Sequence, residues 1–149
     1  MKYKKPESVL VVIFCPYTER CLMLQRQDDV HFWQSVTGSL EEGEIPKQTA
    51  LREVKEETGI DILLMEYRLI DADKMVEFEI FPQFRHRYAP DVTLNKEHWF
   101  YLPLPHEITP QLTEHLAYQW LPFDKAKALT PSWNNRQAIE LVKQLNFSN

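Results

Sequence analysis

Glu53, Glu56 and Glu57 are spaced so that, on a helix of 3.6 residues per turn, their carboxylates fall within an arc of roughly 100°. Three like charges that close repel, and acid pairs one turn apart destabilise a helix by a few tenths of a kcal/mol each. The cluster is therefore unfavourable unless something cationic neutralises it. Ala50, Leu51 and Val54 occupy a different arc, suited to packing on a sheet, so the glutamates are expected on an exposed face. Three environments fit such a face: bulk water, a basic protein partner, or hard divalent cations. Such cations take carboxylate oxygens, and magnesium also keeps waters and ligates substrate phosphates. Arg52, four residues before Glu56, is placed to pair with it or orient it.

The surroundings of the cluster favour the third environment. Residues 38–60, GSLEEGEIPKQTALREVKEETGI, hold all three glycines of the chain and six of its 22 acidic residues. Backbone conformation is therefore expected to matter at these positions. Gly38 is expected to turn the chain sharply between a strand and a loop, and Gly43 to fold that loop back over the helix start. Glu44 stands where loop meets helix. Pro46 suits the first helical turn, where its missing N–H costs nothing, and Gly59 suits a left-handed cap at the far end. Between them, KQTALREVKEET is made of good helix formers.

Gly38, five residues, Glu44, seven residues, then Arg52, Glu53, Val54, Lys55, Glu56, Glu57, Thr58, Gly59 and Ile60 resembles the full signature of the Nudix family, with every specified position matched. The resemblance implies an α+β fold, a mixed β-sheet sandwiched between α-helices. It also implies hydrolysis of a phosphoric anhydride in a nucleoside-diphosphate-linked substrate, with Mg2+ as cofactor and Mn2+ as a substitute. Arg52, Glu53, Glu56 and Glu57 become the catalytic set, with Glu53 and Glu57 as metal ligands. Polyphosphate oxygens would be repelled by bare glutamates, so metal held there bridges protein to phosphate while water attacks phosphorus. Glu56 is a further ligand or a base, and Arg52 orients the acids.

The signature sets the chemistry and leaves the substrate to the rest of the chain. The segments FWQSVTGSLEEGE, VEFEIF, RHRYAP, TEHLAYQWL and SWNNRQAIE resemble a branch of the family that acts on a pterin triphosphate in folate biosynthesis, leaving the monophosphate and pyrophosphate. A general nucleoside triphosphate pyrophosphohydrolase has the same chemistry, and a nucleotide-binding regulatory module without catalysis is the alternative of another class. The intact acid set argues against the last. In the resembling family Glu114 fits a third metal ligand, against the alternative of a surface-turn carboxylate. Lys4 and Arg26 lie near strand ends, Arg26 toward the same edge as Thr37, and are candidates for phosphate contact. Phe78 through Phe81, which includes Glu79 and Ile80, is the expected ring-binding stretch: Phe78 or Phe81 stacks on the pterin and the Glu79 carboxylate accepts from its edge. Ser132 either caps the last helix or turns its hydroxyl and the helix start toward the ligand. Trp33 and Trp133 are pocket walls or core.

These residues need elements to position them. Ser8–Phe14 and Cys21–Arg26 read as a hairpin, Trp33–Thr37 as a short strand, and His98–Leu104 and His115–Pro122 as further strands. Apolar segments Ile60–Ile70 and Met75–Phe84 follow the central helix, and Val76, Phe78 and Ile80 alternate with Glu77, Glu79 and Phe81 as on a half-exposed strand. FDKAKALT reads as a short helix and Ser132–Leu145 as a longer amphipathic one.

At 149 residues, 44% hydrophobic and 26% charged, the chain is expected to form a single domain over residues 1–149. A net charge of −5 argues against nucleic acid as partner. No apolar run reaches a membrane span. The basic-then-apolar start, MKYKKPESVLVVIF, lacks the small-residue cleavage site of a signal peptide. A cytoplasmic monomer or weak dimer is expected, acting on a small-molecule triphosphate. Cys15 and Cys21 are expected to be reduced, although a hairpin could bring them face to face.

Overall fold

The run from Ser8 to Phe14 shows no polar alternation because both faces of its strand are buried, and everything else is arranged around it. The structure, a computed structural model, describes residues 2–145. Strand β1 (Glu7–Cys15) is central. Val9, Val11 and Ile13 point to a core formed with helix α1 (Pro46–Thr58), where Ala50 and Val54 are fully buried. Leu10, Val12 and Phe14 point to the opposite core, closed by α3 (Trp133–Val142) through Ala138 and Ile139. The sheet thus lies between helices, as the family resemblance implies.

Along its first half β1 pairs antiparallel with β4 (Val36–Ser39), and at its end with β2 (Arg20–Arg26). On the other side it runs parallel to β6 (Leu94–Pro103), which carries β5 (Ile70–Glu79) as an edge. Strand β2 also pairs with β3 (Trp33–Gln34) and β7 (His115–Pro122). The short helix α2 (Phe123–Leu129) precedes α3. No helix among the described residues is long and apolar enough to cross a membrane.

The ends of α1 form as expected. Pro46 starts it, the Gln48 side chain accepts the Ile45 N–H at 3.0 Å, and Gly59 ends it at φ +83°. Three other features depart from the sequence reading. Trp33–Thr37 is two strands, because the Ser35 N–H leaves the ladder for Asn135 Oδ1 at 2.9 Å. Residues 62–66 form a turn that exposes Leu63 and Leu64, and a strand begins only at Ile70. That strand stops at Glu79, because Pro82 opens a 3-10 helix, Pro82–Arg87. The cysteines are free, as expected: Phe14 is the register partner of Cys21, so Cys15 and Cys21 point to opposite faces of the sheet and cannot bond.

Candidate active site, an acidic trough joined to an aromatic chamber

The glutamates do not jut into solvent. Glu53 is 9% exposed and Glu57 2%, because α1 lays them against β4; Glu56 alone remains open. Gly38 makes this approach possible, and not by turning the chain. It lies inside β4, and a Cβ there would sit 1.5 Å from Glu53 Oε2. The residue is needed for space, whereas Gly43, at φ +82°, does make the expected turn.

Arg52 organises the cluster. Its guanidinium donates to Glu44 Oε2 at 2.8 Å, Glu53 Oε1 at 2.7 Å and the Ser39 carbonyl at 3.1 Å, and reaches Glu56 at 3.3 Å. Glu44 also accepts from Thr49 and from the Glu41 N–H, and the bonds from Arg52 hold its carboxyl down at about 2. Glu44 is therefore a hub that fixes loop to helix.

Burial raises the Glu53 and Glu57 carboxyls above the ordinary range, and the charge of Glu53 adds to the effect at Glu57. Glu57 Oε1 is sealed from solvent with no hydrogen-bond partner among the described residues. Two buried carboxylates, one with an orphaned oxygen, are the donor set of a hard cation. The segment after β6 supplies the opposite wall. It is tied to the end of α1 by Gln111 N to Thr58 O (2.8 Å) and Thr113 Oγ1 to Glu56 O (2.8 Å). This brings Glu114 and His115 into the trough. His115 Nε2 is 3.6 Å from Glu57 Oε1, too far to bond, and burial lowers its imidazole to about 4, so it is neutral. No three acidic, His or Cys side chains of the described residues converge on a metal position, and Glu114 lines the same trough as Glu53 and Glu57.

Lys4, Arg26, Thr37 and Gly38 line both this trough and a second chamber, which makes one continuous cleft. The sequence reading missed Arg87, a third cation at the same junction. It is positioned by its carbonyl, which accepts the Lys4 N–H at 2.9 Å. Arg26 lies 3.9 Å over the Phe84 ring and is held by Asp28 through two 2.7 Å bonds; Asp28 also holds Arg87. Burial, then the charges of Arg87 and Arg26, lower the Lys4 ammonium below its ordinary value.

The chamber has walls of Phe78, Ile80, Phe81 and Phe84, and Trp133 packs edge-on against Phe78. Trp33 packs into the core instead. Glu79 does not take the expected place. Strand alternation turns Phe78 toward Asn95 and leaves Glu79, opposite Leu94, exposed on the other face. The buried acid of the chamber is Glu97 on β6, 3% exposed. Its Oε1 accepts from Asn134 Nδ2 at 2.7 Å and Trp99 Nε1 at 3.0 Å, and burial pushes its carboxyl up to about 7. Asn95, two residues earlier, donates to Ser8 Oγ at 2.7 Å, while its buried Oδ1 has no partner among the described residues. Ser132 takes the capping role, accepting the Asn135 N–H, and donates its hydroxyl to Asn134 Oδ1; the residue also lines the chamber. Inward polar residues at 8, 95 and 97 were the available signal. They also made β6 look as if it began at His98.

The NUDIX domain model matches residues 4–142. The chain is 62% identical over 138 residues to dihydroneopterin triphosphate diphosphatase of Escherichia coli K12, covering 93% of this chain and 92% of that protein. It is 51% identical over 140 residues to the protein of the same name from Haemophilus influenzae, covering 94% and 89%. The solved structure of the E. coli dihydroneopterin triphosphate pyrophosphohydrolase superposes with a TM-score of 0.92 at 61% identity, covering 94% of this chain and 96% of that one. With the signature residues gathered at one cleft between sheet and helix, the chain belongs to the Nudix family.

Proposed function

We propose that the protein hydrolyses dihydroneopterin triphosphate to dihydroneopterin monophosphate and pyrophosphate, a step of folate biosynthesis, in the cytoplasm and as a monomer or weak dimer. One observation carries this reading: the carboxylate trough and the aromatic chamber share a wall bearing Lys4 and Arg26. A molecule with a flat ring at one end and a polyphosphate at the other fits such a cleft. The relatives that carry this activity in their names support the choice of ring.

Glu53 and Glu57, with Glu114, would hold Mg2+, for which Mn2+ can substitute. When bound, the ion supplies positive charge at the phosphate oxygens and lowers the barrier to attack by water. The chain's own groups do the rest. Lys4, Arg26 and Arg87 draw in the triphosphate and screen it, exchanging the Asp28 carboxylate for phosphate oxygens. Arg52 keeps Glu53 and Glu56 in place. With Glu53, Glu57 and Glu114 engaged as ligands, Glu56 is the acid of the cluster open enough to take the proton of the attacking water.

The test is pyrophosphate release with magnesium from dihydroneopterin triphosphate and from the eight common nucleoside triphosphates at equal concentration. The pterin compound should have the highest kcat/KM. A nucleotide with a higher value replaces this reading with that of a general triphosphate pyrophosphohydrolase.

A further inference from the structure

One buried carboxylate oxygen lines the ring chamber and points to the ring edge it reads. Both neighbouring donors, the Asn134 amide and the Trp99 indole, converge on Oε1 of Glu97. Oε2 receives no hydrogen bond from the described residues and is not sealed away, so it is the oxygen on the cavity side. Asn95 Oδ1, by contrast, is sealed off and has no partner among the described residues. Its own amide nitrogen is committed to Ser8, which fixes the oxygen's orientation, and the residue is 3% exposed. Residues two apart on a strand lie roughly 6–7 Å apart and share a face, so Asn95 and Glu97 stand side by side along β6. Phe78 pairs with Asn95 and walls the same face.

We propose that Glu97, through Oε2, determines ring specificity by accepting the adjacent N–H and amino donors of a 2-amino-4-oxopyrimidine edge. This rests on the reading that the chamber takes the substrate ring. The edge is common to pterin and guanine. Hypoxanthine lacks the amino donor, lumazine replaces it with a carbonyl, and adenine sets a ring acceptor beside its amino group. Each of these leaves a buried oxygen unpaired or facing a lone pair, a mismatch far more costly than a missing apolar contact. Asn134 contributes indirectly as a positioning residue, by holding Oε1 so that Oε2 faces inward.

Inosine and guanosine triphosphates differ only in the 2-amino group and provide the direct test. The wild-type kcat/KM should favour GTP over ITP by about 10- to 100-fold. In Glu97→Gln the amide oxygen stays with Trp99 and Asn134 and its NH2 faces the cavity, so the preference should collapse to about threefold or less. A wild-type ratio within about twofold, or an unchanged ratio in Glu97→Gln, overturns the proposal. Pterin and lumazine, titrated against wild-type protein by fluorescence and calorimetry, read the same discrimination without turnover. Pterin should bind about tenfold tighter or better, and equal binding overturns the proposal. If no triphosphate is hydrolysed but pterin is still preferred, the proposed function fails and the ring-edge assignment stands.

Discussion

Glu97→Gln should change how the stability of the protein depends on pH, and by an amount the burial of this side chain sets. The folded carboxyl is pushed up to about 7, from an ordinary value of 4.5, chiefly by desolvation. The folded state therefore keeps a proton that the unfolded chain releases, and stability falls as pH rises between those two values. The contribution is fully present below pH 4.5 and lost once pH passes about 7. At 1.36 kcal/mol per pH unit the whole loss is about 3 kcal/mol, and about 2 kcal/mol of it falls between pH 5.5 and 8. Glutamine is isosteric, keeps an oxygen for Trp99 and Asn134, and does not titrate. Urea unfolding of both proteins at pH 5.5 and pH 8 gives a difference of differences, in which any fixed cost of the amide and the titrations of Glu53 and Glu57 cancel. The wild type should lose about 2 kcal/mol more than the variant on going to pH 8, equivalent to roughly 4–8 °C in Tm. Parallel pH dependences, within about 0.5 kcal/mol, would refute the argument that Glu97 is charged only at a desolvation cost.

Gly38→Ala should fold, because the atoms its Cβ meets are the flexible end of Glu53, yet it should displace that carboxylate. Near wild-type Tm with at least about tenfold weaker magnesium activation is expected, and unchanged activation would show that Glu53 is not needed where it sits. Glu57→Gln should lower turnover by more than the roughly 10- to 100-fold typical of losing an outer partner of a metal site, with little loss of folding. Wild-type-like rates in magnesium would remove Glu57 from the site. Glu114→Ala should cut the rate about tenfold or more and raise the magnesium concentration needed for half-maximal activity; unchanged kinetics would return it to a surface-turn carboxylate.

Residues 38–60 alone specified a capped helix, a glutamate cluster and the class of reaction, because the signals are local: spacing along one helix, a proline at its start, a left-handed glycine at its end. The apolar run of β1 likewise announced a strand, which the structure buries on both faces. What the linear pattern could not carry was depth and pairing. Glu53 and Glu57 are buried, and for Glu53 a glycine on a different element leaves the room. Glu79 and Glu97 are both acids on strands, and only the register of β5 against β6, with α3 closing over that face, places one outside and the other in the chamber. Arg87 reached the cleft through a backbone bond to Lys4, 83 residues away in sequence. The sequence by itself determined which chemistry was available. Tertiary structure decided which oxygens face the ligand, because burial and side-chain direction come from strand register and from contacts between residues far apart in the chain.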